Sequence, residues 1–151
     1  MSCLLDTNVL LRLAEEQSSE HTVAARAVEQ LLAGNQPVFI AAQVLVEFWA
    51  VATRPEAVNG LGWSCATTVE ATRGFLEQFP LLRDTPDVLE RWLELVSRCQ
   101  VAGKRTHDAR LAALLLVHGV RRLLTFNTGD FPLLWGVEAV HPEELLAAPR
   151  Q

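Results

Sequence analysis

Short apolar runs alternate with segments whose apolar residues recur at helical spacing, and this alternation runs nearly the length of the chain. It constrains the fold more than any single motif, because strands separated by helices favour a parallel sheet covered on both faces. "SCLLD" reads as a strand and "TNVLLRLAEEQ" as a helix; "AVEQLLAG" closes a second helix with Gly34 as its cap, and "PVFIAA" is a second buried strand. The helix "AQVLVEFWAVAT" ends at Pro55, "NGLGW" is a loop, and Ser64 caps "CATTVEATRGFLEQF", which Pro80 stops. "LLRDT" is a short strand, Pro86 opens "DVLERWLELVSRCQ", and "HDARLAALLLVHG" is a helix ending at Gly119. "VRRLLTF" and "VEAV" supply two more strands before a short helix from "PEELL". The expected class is α/β, a three-layer α/β/α sandwich with a central, mostly parallel sheet. With no repeat or composition break, residues 1–151 are expected to form one domain.

Half of the residues are hydrophobic, enough for a substantial core at this length. The longest apolar run, "LAALLLVHGV", falls well short of the roughly 20 residues of a membrane span, and "MSCLLDTNVL" lacks the basic start of an export signal. A cytoplasmic protein is expected. Cys3, Cys65 and Cys99 are too scattered for a zinc or redox motif and read as small core residues. The net charge of −5 argues against a surface coated in positive charge for a polyanion. A local basic rim drawn from Arg12, Arg54, Lys104, Arg105, Arg121 and Arg122 remains compatible with it.

The sharpest anomaly is "LVEFWAV", one carboxylate among bulky apolar residues. Val44, Glu47, Phe48 and Val51 follow the pattern of a core-facing stripe, which turns Glu47 inward. Asp108, Leu111, Ala112 and Leu115 do the same on a later helix, and Asp6 and Asp130 stand at or just beyond strand ends. Each acid alone has an ordinary explanation: a cap for Asp6 and Asp108, a turn for Asp130, a buried ion pair for Glu47. Four together at one edge would repel and raise each other's pKa unless a cation joins them. Oxygen donors without an accompanying histidine and cysteine set select Mg²⁺ or Mn²⁺, and Mg²⁺ held this way usually works on substrate phosphates. His107 points about 100° away from Asp108 around the helix and receives no ligand role.

"LLDTNVLLRL", "VLVEFWAV", "RTHDARLAALLLVHGVRRLLTFNTGDF" and "VEAVHPEELL", in this order, resemble the PIN domain family, most closely its VapC-like toxin ribonucleases. The resemblance covers nearly the whole chain. It implies an acidic quartet of Asp6, Glu47, Asp108 and Asp130 holding Mg²⁺ or Mn²⁺, with Asn8 and Thr125 supporting it. "TFNTGDF" offers both Asn127 and Asp130 for the fourth place. The resemblance also implies an RNA substrate, a VapB-like antitoxin whose tail blocks the site, and a homodimer built on helices.

The expected activity is thus a metal-dependent endoribonuclease, with a water activated at the ion and Trp63 in "NGLGW" a candidate platform for an unpaired base. Two other readings compete: a catalytically silent PIN-like module that binds RNA or protein, and a structure-specific DNA nuclease. A phosphatase of the haloacid dehalogenase type is discarded, because it needs an acid two places after the first aspartate, where Asn8 stands.

Overall fold

The computed structural model describes residues 1–149. Five strands, β1 (Cys3–Leu5), β2 (Val38–Ala41), β3 (Leu81–Leu82), β4 (Arg122–Leu124) and β5 (Glu138–Val140), form one sheet in the order β3-β2-β1-β4-β5. Every neighbouring pair is parallel, with Leu4 beside Phe39 on one side and Leu123 on the other. Parallel pairing buries a strand on both faces, which is why Leu4, Leu5, Leu123 and Leu124 are fully enclosed and why these strands read as unbroken apolar runs.

Seven helices connect and cover them: α1 (Thr7–Ala14), α2 (His21–Ala33), α3 (Ala42–Thr53), α4 (Cys65–Gln78), α5 (Pro86–Arg98), α6 (Arg105–Val117) and α7 (Pro142–Ala147). The chain steps from β1 to β2 to β3 in one direction, then crosses back to place β4 on the far side of β1. Right-handed crossovers therefore put α1–α4 on one face and α5–α6 on the other. Helix α6 is enclosed on more than one side, from Ala109 through Leu115 except Arg110, because α5 packs over it. That explains why its sequence has no clear polar face.

The expected punctuation is largely present. Asp6 and Ser64 cap α1 and α4 through side-chain bonds to Thr7 N and Thr67 N, and Pro86 and Pro142 occupy opening positions of α5 and α7. At the end of α2 the left-handed residue is Asn35 (φ 55°), one place beyond Gly34, whose own φ is −81°. Helix α6 begins at Arg105, earlier than its apolar stripe, and the hydroxyl of Thr106 turns back to the carbonyl of Gly103. Cys65 departs from a core role, being exposed, whereas Cys3 is buried and Cys99 is half-buried against the core. Among the described residues no helix is long and apolar enough to cross a membrane.

Candidate metal centre

The reversal of strand order between β1 and β4 opens a crevice at their carboxyl-terminal ends, where ligands bind in sheets of this kind. Asp6 follows β1 directly and Thr125 follows β4; a short 3-10 turn, Thr128–Asp130, comes next. The amino-terminal ends of α3 and α6 close over the same place. Gln43 at the start of α3 reaches the carbonyl of His107 in α6, and Arg105 reaches the carbonyl of Asp130.

The buried acid is Asp6, 8% exposed. Its two oxygens are both engaged, one accepting from Thr7 N (2.8 Å) and the other from the Thr125 hydroxyl (2.8 Å). That hydroxyl is saturated: it also accepts from Asn8 Nδ2 (3.0 Å) and Asn127 N (3.1 Å), filling one donor and two acceptor places. Asn8 Oδ1 accepts from Phe126 N (3.0 Å), so a fixed backbone donor orients the amide and hence the whole chain of bonds to Asp6.

Glu47 is half-buried at the margin of the stripe formed by Val44, Phe48 and Ala52, shallower than its inward-facing spacing suggested. What meets it is neutral. The Thr7 hydroxyl donates to one oxygen (2.9 Å), and Gln43 Nε2 approaches the other (3.4 Å). Asp108 is half-buried in the first turn of α6, and Asp130 is exposed on its turn. None of the ion pairs among the described residues involves Asp6, Glu47, Asp108 or Asp130.

The electrostatics ties the four together. Burial, then the charges of Glu47 and Asp130, raise Asp6 to about 6, although its bonds from Thr125 and Thr7 pull the other way. Asp108 also rises to about 6, through burial first and then Asp130, Asp6 and Glu47, with Arg105 opposing. Such a set fits a hard divalent cation in donor type and in its shortage of countercharge. Its spacing is open: among the described residues no three acidic, histidine or cysteine side chains already chelate at one point. Mg²⁺ keeps several waters and commonly takes only one or two carboxylates directly, which suits an open set. Asn127 contributes its backbone, donating to Thr125 and accepting from Asp130 N, whereas Asp130 acts on both buried-side acids through its charge.

The basic rim is narrower than the sequence suggested. Lys104 and Arg105 stand at the mouth, and Arg105 is braced over the Trp135 ring at 5.2 Å. Arg122 opens β4 at the opposite edge with Arg121 before it, and Arg12 is paired with Glu15 and Glu20. Trp63 is partly buried and packs against the core, in a T-shaped contact with Phe48 at 6.3 Å. Thr7 and Gln43 were missed by reading acids alone. Their only sequence signals are Thr7's place between Asp6 and Asn8, and Gln43's place one turn before Glu47.

Ribonuclease VapC24 of Mycobacterium tuberculosis is 32% identical over 128 residues, covering 84% of this chain and 87% of the relative. Among solved structures, the fold is similar to VapBC2 from Rickettsia felis bound to a DNA fragment from their promoter, with a TM-score of 0.71, 16% identity, and 93% and 98% of the two chains covered. It is also similar to a toxin-antitoxin complex from Klebsiella pneumoniae, with a TM-score of 0.59, 24% identity, and 93% and 98% covered. The PIN domain family model spans residues 3–132, from the first strand past the last acid of the crevice, and the chain belongs to that family.

Proposed function

We propose that this chain is a metal-dependent endoribonuclease of the VapC kind, restrained by a VapB-like antitoxin and working as a homodimer. The observation that carries the reading is the gathering of four carboxylates, from far-apart stretches of sequence, around one crevice without a paired cation. The likeness to Ribonuclease VapC24 supports RNA as the substrate, and the likeness to a toxin-antitoxin complex supports the partner.

Asp6, Glu47, Asp108 and Asp130 would hold Mg²⁺ or Mn²⁺. Bound there, the ion supplies Lewis acidity, lowering the pKa of a water and offsetting charge that builds on the scissile phosphate. The chain's own residues do the rest. Thr125, itself held by Asn8, and the backbone N–H of Thr7 keep the two oxygens of Asp6 in place, and the Thr7 hydroxyl and Gln43 do the same for Glu47. Lys104 and Arg105 offer positive charge at the mouth, Arg105 already braced by Trp135 and so losing less freedom on meeting a phosphate.

The test is cleavage of matched RNA and DNA oligonucleotides with Mn²⁺ or Mg²⁺, with and without EDTA. RNA is cut, EDTA stops it, and Asp108→Asn eliminates it while circular dichroism stays unchanged. Metal-independent cleavage, or an active Asp108→Asn, would reject the reading; preferential cutting of DNA would reassign the substrate.

A further inference from the structure

The acids of the crevice come from separate elements, so something must fix α3 against α6. Gln43 makes that connection. Its Nε2 donates to the carbonyl of His107 at 2.8 Å, in the same turn as Asp108, and approaches Glu47 at 3.4 Å on its own helix. Its Oε1 accepts from Arg110 Nη1 at 2.9 Å. Arg110 in turn is anchored to Asp84 by Nη2 at 3.0 Å.

A glutamine amide by itself can turn end for end, exchanging its donor for its acceptor. Arginine has only donors. With Arg110 on one side, Oε1 must face it, and Nε2 is left facing the two oxygens on the other. We propose that Gln43 and Arg110 are positioning residues: Arg110 sets the sense of the Gln43 amide, and the amide fixes Glu47 and Asp108 relative to each other. This rests on the metal-dependent reading above. Neither residue touches a reacting atom; they act through the acids, as outer partners of metal ligands do.

The test is a titration of the metal-free full chain with Mn²⁺, followed by electron paramagnetic resonance, on wild type, Gln43→Met, Arg110→Met and Glu47→Gln. Methionine keeps the apolar stem of either residue and removes its polar groups, and thermal melting of the metal-free proteins accompanies each titration. The expected result is that Gln43→Met and Arg110→Met each weaken Mn²⁺ binding about 10- to 100-fold, the usual effect of removing such partners. Either variant binding Mn²⁺ within about twofold of wild type, with Glu47→Gln impaired, overturns the positioning role, even if melting temperature falls. Glu47→Gln binding like wild type would instead remove the metal reading itself, and the proposal with it.

Discussion

At the carboxyl-terminal edge of the sheet, Asp6, Glu47, Asp108 and Asp130 gather one sign of charge, and neutral hydroxyls and amides hold the first two. At the amino-terminal edge, Arg122 and Glu138 are register partners on β4 and β5, and Arg122 also bonds Gln36 at 3.3 Å. A polar cleft of about 670 Å³ opens there, with Arg26 and Glu29 adding a further charge of each sign. None of the four acids lines this cleft, and its mixed charges make it the ordinary kind of protein surface. The difference teaches that charge imbalance, more than concavity, marks a candidate site.

The comparison breaks most directly by neutralising one acid at each edge. Asp108→Asn should lower RNA cleavage on the order of 1,000-fold, the scale for losing one preorganised electrostatic group, whereas Glu138→Gln should leave it unchanged. Equal effects in the two variants would erase the distinction. Next comes Thr125→Val, which keeps shape but strands Asp6, Asn8 and Asn127 N at once. It should cost about 1–3 kcal/mol in urea denaturation and also weaken Mn²⁺ binding, whereas Arg122→Gln at the far edge does neither.

Acidity sharpens the contrast further. Asp6 and Asp108 ionise in the fold only near pH 6, above the roughly 3.9 of an unfolded aspartate, so the folded metal-free chain holds more protons between about pH 4 and 6. Their favourable contribution is present below that window and is lost as pH rises through about 6. Mn²⁺ binding should run the other way, strengthening at least about tenfold from pH 5 to 7, because the ion needs the ionised forms. A binding constant flat across that range would show that these acids are not the ligands.

The smallest effect is also the most discriminating. Asp108→Asn removes a repelled charge that makes no hydrogen bond to another side chain, so it should stabilise the metal-free protein at pH 7 by less than about 1 kcal/mol, given its exposure. Asp6→Asn should not, because two donors, Thr7 N and the Thr125 hydroxyl, face both of its oxygens and an amide nitrogen would oppose one of them. Denaturation midpoints of the two variants check the sign.

Much of the fold was legible because local rules agree with global ones. The helix 42–53 could be bounded from "AQVLVEFWAVAT" and Pro55, and the parallel sheet followed from apolar runs separated by helices. Helical period tells which way Glu47 points but not how deep it lies, and its half-buried state depends on where α1 and α6 end up. The bonds that hold it come from 40 residues away in the case of Thr7, and the bond from Gln43 to His107 spans 64. Such separations leave no periodic trace. The turn at Thr128–Asp130 was readable from the turn residues of "NTGD", but the 3-10 turn at Leu133–Trp135 was invisible, being too short to impose a pattern.

The sheet's reversal beside β1 has a consequence for a chain still being translated. Its first aspartate leaves the ribosome early but stays without its partner threonine until the fourth strand has emerged and inserted next to the first. Every nascent fragment that stops short of β4 therefore lacks the hydroxyl that holds one oxygen of Asp6.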